Sequence, residues 1–502
     1  MSSAADIVLA AINAKWIHPS LALRLLKANL GGLAERCEIL EFALRQPLKE
    51  KVEPILAARP RLLALSVSVW NHKAVLELLE ALEKEWNEKP LVVLGGPEVS
   101  WLPEDVEIFR HVDYVIRGEA EESFRLLCYG IFYGERSPES LSRDLSVSDM
   151  GTGRKRTVFI NRGDTTVNPD NIVPAYHLYT DEDLKRKLVY VEASRGCAFA
   201  CEFCQAAVRH NNEALRVREF PLEPFLADMG KLIDRGGRTF KFLDRTFNLD
   251  MDRVKRIMEF FLERIEADAT IRSRPLCVHF EMVPFNFPPA LKEIIRRFPP
   301  GTLRLELGIQ TFNAETAALI HRSGNPGAEL EILRFLRRET NAILHVDLIA
   351  GLPGEDLVSF GDGFDRLWQV LAGKFLAGER AAGNDSSFEI QLGILKCLPG
   401  TAIARHNEKY GMKYSTEPPY EVIETAALCA AELGRIKNFA RFWEIIVNRN
   451  PFPEMINSLL PPEEPVFDRF MHLSDNLIEH FGKNWGIDRQ ELRNYLGDCS
   501  AR

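Results

Sequence analysis

The chain has 502 residues, of which 46% are hydrophobic and 27% are charged, with a formal net charge of −9. This length is enough for about two to four domains of ordinary size. The acidic balance argues against a nucleic-acid backbone as the main partner, because such binding needs concentrated positive charge. No stretch approaches the ~18 apolar residues of a membrane span, and the N-terminus is acidic where a signal peptide would be basic. We therefore expect a cytoplasmic protein with neither a nucleic-acid partner nor a membrane span.

Residues 1 to about 130 alternate strand-like and helix-like segments. Buried strands are predicted at 6–11, 38–42, 62–69, 91–94 and 113–116, with amphipathic helices at 21–30 and 73–86. This alternation predicts an α/β fold with a doubly wound, Rossmann-like parallel sheet, and such sheets bind ligands beyond the carboxyl ends of their strands. Candidate ligand contacts therefore follow the strands: His18, Ser66, Ser68, Trp70, Asn71, Gly95, Gly96, Glu98, Ser100, Gly118 and Glu119.

The glycines and the single histidine among these candidates also have common structural roles. Glycines such as Gly95 and Gly96 often serve only as turn residues. A single histidine such as His18 is also more often structural than a ligand. Each alternative stays open at the level of the sequence.

From about 136 to 186 the alternation weakens, since glycine and proline interrupt it repeatedly. We interpret this stretch as a linker. It includes a predicted short hairpin made of residues 157–160 and a neighbouring strand.

Three cysteines follow the next strand-like run, residues 188–193, in a C-x3-C-x2-C array: Cys197, Cys201 and Cys204. Three thiolates this close can wrap one soft metal centre, because thiolates favour zinc, Cu(I) or an iron–sulfur cluster. A zinc site with His210 as fourth ligand is possible, but structural zinc prefers two separated pairs of ligands. Disulfides fit an odd trio poorly, and three buried structural thiols within eight residues are unusual.

Strand and helix then repeat six times between 188 and about 396, which predicts a partial (β/α)6 parallel barrel with polar strand ends converging on one site. Four polar side chains, Glu281, Glu306, Gln310 and Asp347, lie inside otherwise apolar strands. Burial would be costly for them unless they are paired. They are therefore candidate ligand contacts, with a salt-bridged barrel interior as the alternative.

Beyond about 400 the sequence becomes helical and irregular. Helices are predicted at 420–433, 439–446 and 467–481, separated by prolines. We expect domains at 1–135, 187–400 and 401–502, with the linker at 136–186 between the first two.

The cysteine array at the end of a first barrel strand, the strand-end segments 66–71, 95–98 and 117–121, and the helical C-terminus together resemble one enzyme family. These are the radical S-adenosylmethionine (radical SAM) enzymes that carry a cobalamin (B12)-binding domain, in the branch with a helical C-terminal extension. The resemblance implies a [4Fe–4S] cluster on the three cysteines, with SAM on the open iron and cobalamin in the N-terminal domain. The D-x-H-x-x-G motif that supplies a histidine ligand to cobalt in some cobalamin proteins is absent.

The resemblance also implies site residues. SAM contacts are expected at strand ends of the barrel: Asp244, Glu281, Glu306, Gln310, Asp347 and Gly351. Cobalamin contacts are expected at strand ends of the N-terminal domain: Ser66, Ser68, Trp70, Asn71, Gly95, Gly96, Glu98, Gly118 and Glu119.

The activity that the resemblance implies is methyl transfer from SAM through methylcobalamin to an unactivated carbon, by way of a 5′-deoxyadenosyl radical. An external electron donor such as flavodoxin or ferredoxin is implied, and the substrate is a small molecule or a peptide. A non-methylating rearrangement, cyclisation or oxidation is the first alternative, and a non-catalytic cobalamin- or cluster-binding sensor is the second. A methylthiotransferase is disfavoured, because only Cys37 and Cys128 of the N-terminal domain could hold a second cluster.

Overall fold

The computed structural model describes residues 5–134, 144–148, 157–161, 167–208, 217–267, 274–322, 324–372, 388–460 and 465–500. Its first part alternates strands and helices as the sequence predicts. The elements in chain order are β1 Ile7–Asn13, α1 Leu21–Ala28, β2 Cys37–Ala43, α2 Leu48–Ala58, β3 Leu62–Ser66, α3 His72–Glu85, β4 Leu91–Gly95, β5 Tyr114–Arg117, α4 Glu121–Tyr133, β6 Asp144–Ser148 and β7 Thr157–Asn161.

These strands form one seven-stranded sheet in the order β2-β1-β3-β4-β5-β7-β6. All pairs are parallel except β6 with β7. Strand β1 is apolar on both faces, with Val8 in one hydrophobic cluster and Ile7 in another. A strand buried on both sides is what a doubly wound sheet needs, since helices cover both faces. The predicted Rossmann-like fold of this region is confirmed.

Two details of this sheet differ from the expectation. Helices α2 and α4 were not predicted, and Pro54 inside α2 weakens its helical pattern. The predicted hairpin at 157–160 exists, but β7 pairs in parallel with β5 and so extends the sheet. The domain boundary at 135 stays a prediction.

The second part begins near residue 181 and contains the predicted strand and helix repeats. Its elements are α5 Asp181–Arg186, β8 Val189–Val191, β9 Ser194–Arg195, β10 Arg218–Glu219, α6 Leu222–Asp234, β11 Thr239–Phe242, α7 Met251–Ala267, β12 Cys277–Met282, α8 Pro289–Arg297, β13 Leu303–Gln310, α9 Ala314–Leu319, α10 Pro326–Glu339, β14 Ile343–Ala350, α11 Leu357–Ala372 and β15 Phe388–Ile394.

Six of these strands form a parallel sheet in the order β15-β14-β13-β12-β11-β8. The order runs straight from last strand to first, as in a partial barrel, and confirms the predicted sixfold repeat. Side chains alternate along each strand. In β12, Val278 and Phe280 are fully buried, whereas the alternating residues His279 and Glu281 point to the opposite, polar face.

The third part contains a short hairpin and four further helices: β16 Lys413–Tyr414, β17 Val422–Glu424, α12 Ala430–Trp443, α13 Pro453–Leu459, α14 Val466–Phe481 and α15 Arg489–Ser500. The predicted helical character is confirmed, and α14 matches its predicted bounds closely. The helix predicted at 439–446 lies within α12 and the π-helical turn Glu444–Asn448 that continues it.

The helix predicted at 420–433 is wrong over its first part. Val422 belongs to β17 and donates its backbone N–H to Leu395 O at 2.8 Å, while the helix begins only at Ala430. Pro418 and Pro419 stand just before this segment, and the β-branched pair Val422-Ile423 suits a strand. The apolar spacing alone did not separate strand from helix here.

The C-terminal helices pack on the outside of the barrel. Phe439 and Trp443 of α12 contact Phe364 of α11 edge-on, at ring-centroid distances of 5.2 and 4.7 Å. Phe467 of α14 completes this aromatic cluster. Among the described residues, no helix has the length and apolar character that crossing a membrane requires.

Candidate cofactor site

A cavity of about 750 Å³ lies between the carboxyl ends of the N-terminal strands and the cysteine loop. The carboxyl end of β3, the loops after β4 and β5 and helix α1 form one wall, and the segment after β8 forms most of the other. Six of the predicted N-terminal contacts line it: Ser66, Gly95, Gly96, Ser100, Gly118 and Glu119. The rule that parallel sheets bind ligands at their carboxyl ends thus gives the position of this cavity correctly.

The other five predicted N-terminal contacts do not line the cavity: His18, Ser68, Trp70, Asn71 and Glu98. The Asn71 side chain accepts a hydrogen bond from Ser68 N and donates to Ile12 O and Ser66 O, so it fixes the loop after β3. Trp70 is 54% exposed. Ser68, Trp70 and Asn71 shape the loop, and a direct ligand role for all five residues stays a prediction.

His18 and Glu98 each have protein partners. The ring Nδ1 of His18 lies 2.6 Å from the Tyr190 hydroxyl, and burial lowers the pKa of this histidine. The buried Glu98 carboxylate accepts a hydrogen bond from the Tyr420 hydroxyl at 2.6 Å and lies 3.2 Å from His72 Nδ1. Glu98 therefore ties the loop after β4 to the C-terminal region.

The cysteine loop starts on the short antiparallel pair β9 and β10, and Gly196 turns the chain with φ +90°. Cys197 lines the cavity, Cys201 is buried and Cys204 is partly buried. Burial raises the pKa of the Cys197 and Cys201 thiols, while Arg245 and Arg322 oppose the rise at one thiol each. A soft metal group would remove these protons, because thiolates are the ligands that bind it.

The three thiols influence one another electrostatically, so they lie near each other. Within the described ranges, no set of three His, Cys, Asp or Glu side chains already has the arrangement of a metal site. His210, the fourth ligand of the zinc alternative, lies outside the described residues.

A charged network joins the cysteine loop to the N-terminal sheet. Arg195 contacts Glu121 at 2.6 Å and Glu192 at 2.7 Å. Arg218 pairs with Glu119, which also accepts a hydrogen bond from Val167 N at 2.7 Å. These carboxylates raise the pKa of Arg195, although burial alone would lower it.

The sequence did not predict this network. Glu119 was expected to contact a ligand, but its carboxylate is engaged by Arg218. Arg195 stands two residues before Cys197, and the acidic segment 119–122 follows β5. These two signals are visible in the sequence, but only the fold brings them together.

The polar face of the barrel carries the predicted carboxylates. Glu306 of β13 lies 3.0 Å from Lys241 Nζ and 3.1 Å from His279 Nε2. Burial opposes ionisation of this carboxyl, yet these two partners lower its pKa to about 2. The alternative of a salt-bridged interior therefore describes Glu306.

The pKa values of Asp347 and Glu281 are raised, whereas that of Glu306 is lowered. Burial and the nearby Glu306 and Glu281 charges raise the pKa of Asp347 to about 8. Burial likewise raises the pKa of Glu281, whose nearest cation is Arg245 at 3.6 Å. Among the described residues, Asp347 has no ion pair like that of Glu306, and Glu281 has only the longer contact with Arg245, so both are suited to meet a cationic or hydrogen-bonding group.

Asp244, at the end of β11, supports the start of the cysteine loop. Its carboxylate accepts hydrogen bonds from the Ser194 hydroxyl at 2.5 Å and from Ala193 N at 3.0 Å. Burial raises the pKa of Asp244 to about 7. A contact between this residue and SAM stays a prediction.

Gln310 is the last residue of β13 and Gly351 directly follows β14, and both lie at irregular points of the backbone. Gln310 has φ +72° and lies at a shift in the pairing of β13 with β14. Gly351 has φ +85°, and a Cβ there would lie 2.5 Å from Val422 Cγ1. The C-terminal hairpin therefore needs glycine at 351, whatever else binds nearby.

Three stretches of the sequence match known families. Residues 7–127 match the B12 binding domain, residues 191–366 match the radical SAM superfamily, and residues 408–494 match a family described as a protein of unknown function, DUF4080. A Pyrococcus horikoshii protein named as an uncharacterised methyltransferase is 30% identical over 179 residues. The match covers 34% of this chain and 37% of that protein.

Solved structures share the fold over most of the chain. The radical SAM methyltransferase TsrM from Kitasatospora setae, with tryptophan and a SAM analogue bound, is 16% identical, with a TM-score of 0.57 over 85% of this chain and 81% of that one. Another TsrM structure holds cobalamin and a [4Fe-4S] cluster. OxsB, a cobalamin-dependent SAM radical enzyme with aqua-cobalamin and SAM bound, is 14% identical, with a TM-score of 0.63 over 96% of this chain and 76% of that one.

Proposed function

The chain joins a B12-binding domain to a radical SAM domain, and on that basis we propose that it is a cobalamin-dependent radical SAM methyltransferase that methylates an unactivated carbon. One observation carries the proposal. The carboxyl ends of the N-terminal sheet and Cys197 of the cysteine loop line the same cavity. A methyl carrier and a radical source need such a shared space, because both must reach one substrate atom.

The residues present fit the implied groups. Three thiols on one loop are the ligand set of an iron–sulfur cluster, and a cavity of about 750 Å³ walled by Gly95 and Gly96 gives room for a bulky ring. In such enzymes the cluster supplies an electron to SAM, and cobalamin supplies the methyl group.

The chain's own side chains have positioning and electrostatic tasks. Glu281 and Asp347 offer carboxylates on the polar face of the barrel, where the cationic SAM is expected. Arg195 and Arg218 hold the cysteine loop against the N-terminal sheet.

The alternative activity is a non-methylating radical reaction. It draws on OxsB, which shares the fold over 96% of this chain and whose description names a radical enzyme without naming methyl transfer. The substrate, a small molecule or a peptide, and the electron donor belong to the proposal in either case.

Isotope labelling separates these two activities before the substrate is known. The anaerobically reconstituted protein is reduced and given SAM with a trideuterated methyl group. We expect cobalamin to gain the labelled methyl group, detected by mass spectrometry, and 5′-deoxyadenosine to accumulate. Deoxyadenosine without any label on cobalamin would refute the methyltransferase and favour the alternative.

A further inference from the structure

Glu202 lies inside the cysteine array, between Cys201 and Cys204, and its side chain is only 2% exposed. The backbone at this residue is bonded in two directions. Its N–H donates to Ile320 O at 3.1 Å, and its carbonyl accepts from Ile403 N at 3.0 Å. The cysteine loop is thus fixed between the segment after α9 and the turn at 402–406.

The carboxylate of Glu202 is held by three cationic or ring groups. One oxygen lies 3.1 Å from His321 Nδ1 and also contacts the Arg405 guanidinium. The other lies 2.8 Å from His406 Nε2. His321 follows α9 of the barrel, whereas Arg405 and His406 come from the segment beyond β15.

A buried carboxylate is destabilising unless charged or hydrogen-bonding partners surround it. Glu202 therefore has one well-defined position, set by partners more than 100 residues away along the chain. A second tether acts on the same loop, because Gln205 Nε2 donates to Pro399 O at 3.2 Å. Both tethers end on residues 399–406.

We propose that Glu202 is a positioning residue, which holds the three thiolates in the geometry that a cluster needs, with Arg405 and His406 as its anchor. The inference rests on the proposed function only in requiring a cluster on this loop. The anchor lies outside the C-x3-C-x2-C array, so the C-terminal segment takes part in building the cluster site.

The anchor also sets the charge beside the cluster. Glu202→Gln keeps the side-chain shape but leaves the Arg405 charge without its carboxylate. A more positive surrounding favours the reduced cluster, so the reduction potential should become more positive. A role in packing alone would leave the potential unchanged.

The test uses the full chain, reconstituted anaerobically with iron and sulfide, as wild type, Glu202→Gln, Glu202→Ala and His406→Gln. Rates of iron loss to a chelator, the EPR spectrum of the reduced cluster and its reduction potential are measured. Asp475→Asn is the matched control, because it breaks the Arg435 ion pair in the C-terminal helices, away from the loop.

We expect Glu202→Ala and His406→Gln to lose iron roughly 10–100-fold faster than wild type, as is typical when a partner of a metal ligand is removed. Glu202→Gln should shift the EPR spectrum and raise the potential, and Asp475→Asn should change neither. Cobalamin content should stay as in wild type throughout.

Two results would contradict the inference in different ways. Wild-type iron retention, EPR spectrum and potential in both Glu202→Gln and His406→Gln would refute it and leave the proposed function standing. A wild-type protein that takes up no cluster would refute both. If Glu202→Ala fails to fold, the two conservative variants decide.

Discussion

The N-terminal sheet and the barrel sheet face one cavity with opposite chemistry. The strands whose ends reach the cavity run parallel in both sheets, and both sheets present the carboxyl ends of these strands. The N-terminal ends offer small neutral residues such as Gly95, Gly96 and Ser100. The barrel offers thiols and charges, as at Cys197 and Arg195. One architecture thus provides a neutral wall at the ends of β3 and β4, with room for a large ring, and a reactive, charged wall for a metal group. After β5, Glu119 and Glu121 also line the cavity and pair with Arg218 and Arg195 of the charged wall.

The two glycines of the N-terminal wall, Gly95 and Gly96, have different structural roles. Gly96 has φ +111°, and a Cβ there would lie 2.4 Å from Val67 O, so the backbone requires glycine. At Gly95 the nearest atom to a Cβ would be Ile116 O at 3.8 Å. Gly95 is therefore dispensable for the fold, and its lack of a side chain leaves room in the cavity.

The largest expected effect comes from removing a thiol of the barrel wall. Cys197→Ala should abolish cluster assembly, because two thiolates do not hold a cluster that needs three. Cobalamin binding should remain, since the other wall is untouched. Iron, sulfide and cobalamin analysis after anaerobic reconstitution measures both. Loss of both cofactors together would show that the two walls do not bind their cofactors independently.

The opposite result, weaker cobalamin binding with the cluster retained, should follow from adding a side chain to the neutral wall. Gly95→Leu places a bulky side chain in the cavity without backbone strain, and we expect cobalamin affinity to fall at least about tenfold, or ~1.4 kcal/mol. The cluster should still assemble. Gly434→Leu is the control, because it adds the same side chain to a glycine whose Cβ would have no atom within 4 Å. Unchanged cobalamin affinity in Gly95→Leu would show that cobalamin does not bind in this cavity.

On the polar face of the barrel sheet, two carboxylates that do not themselves line the cavity should respond oppositely to pH. The pKa of Asp347 is raised from 3.8 to about 8, so its ionisation destabilises the fold increasingly as pH rises between those values. Asp347→Asn should raise the apparent Tm of the apoprotein at pH 8.5 by roughly 2 °C or more, and much less at pH 5. Thermal unfolding at the two pH values measures this difference.

Glu306→Gln is the control for that pH dependence. The pKa of Glu306 is lowered to about 2, so its carboxylate is stabilising at every pH above its ordinary value of 4.5. Its removal should therefore lower the apparent Tm at both pH 5 and pH 8.5. If the apparent Tm changed in the same direction in Asp347→Asn and Glu306→Gln at pH 8.5, the charge states assigned to these two carboxyl groups would be contradicted.

The last expected effect concerns the link from the loop after β4 to the C-terminal region. Tyr420→Phe removes the hydroxyl that bonds the buried Glu98, which should cost about 1–3 kcal/mol of stability. Glu417→Gln breaks the exposed Lys73 pair of the same segment and should cost at most about 1 kcal/mol. Chemical unfolding measures both, and equal losses would mean that Glu98 does not depend on Tyr420.

Local patterns were enough to predict both sheets. Apolar runs such as 62–65 followed by glycine or serine give strands and their ends, and the six repeats give the barrel order. They fail where local signals conflict, as in α2 with Pro54, or where a short apolar stretch fits two structures. The segment at 420–433 is such a case, because Val422 pairs with a strand end that the local sequence does not reveal.

Only those residues of the site that carry a recognisable local sequence pattern could be predicted. The cysteine spacing and the strand-end glycines point to the cavity, and seven predicted residues line it: Ser66, Gly95, Gly96, Ser100, Gly118, Glu119 and Cys197. The partners of Arg195 and Glu202 lie 74 and 204 residues away, at Glu121 and His406. A single sequence has no signal that pairs such distant charges, so only the fold reveals them.

The central claim is that cobalamin and the cluster face each other across one cavity. The most direct measurement is the EPR spectrum of cob(II)alamin in the reconstituted protein before and after reduction of the cluster. We predict that cluster reduction broadens or splits the cob(II)alamin signal by spin coupling in wild type and leaves it unchanged in Cys197→Ala. An unperturbed signal in wild type, with both cofactors bound in full amounts and the cluster reduced, would contradict the claim.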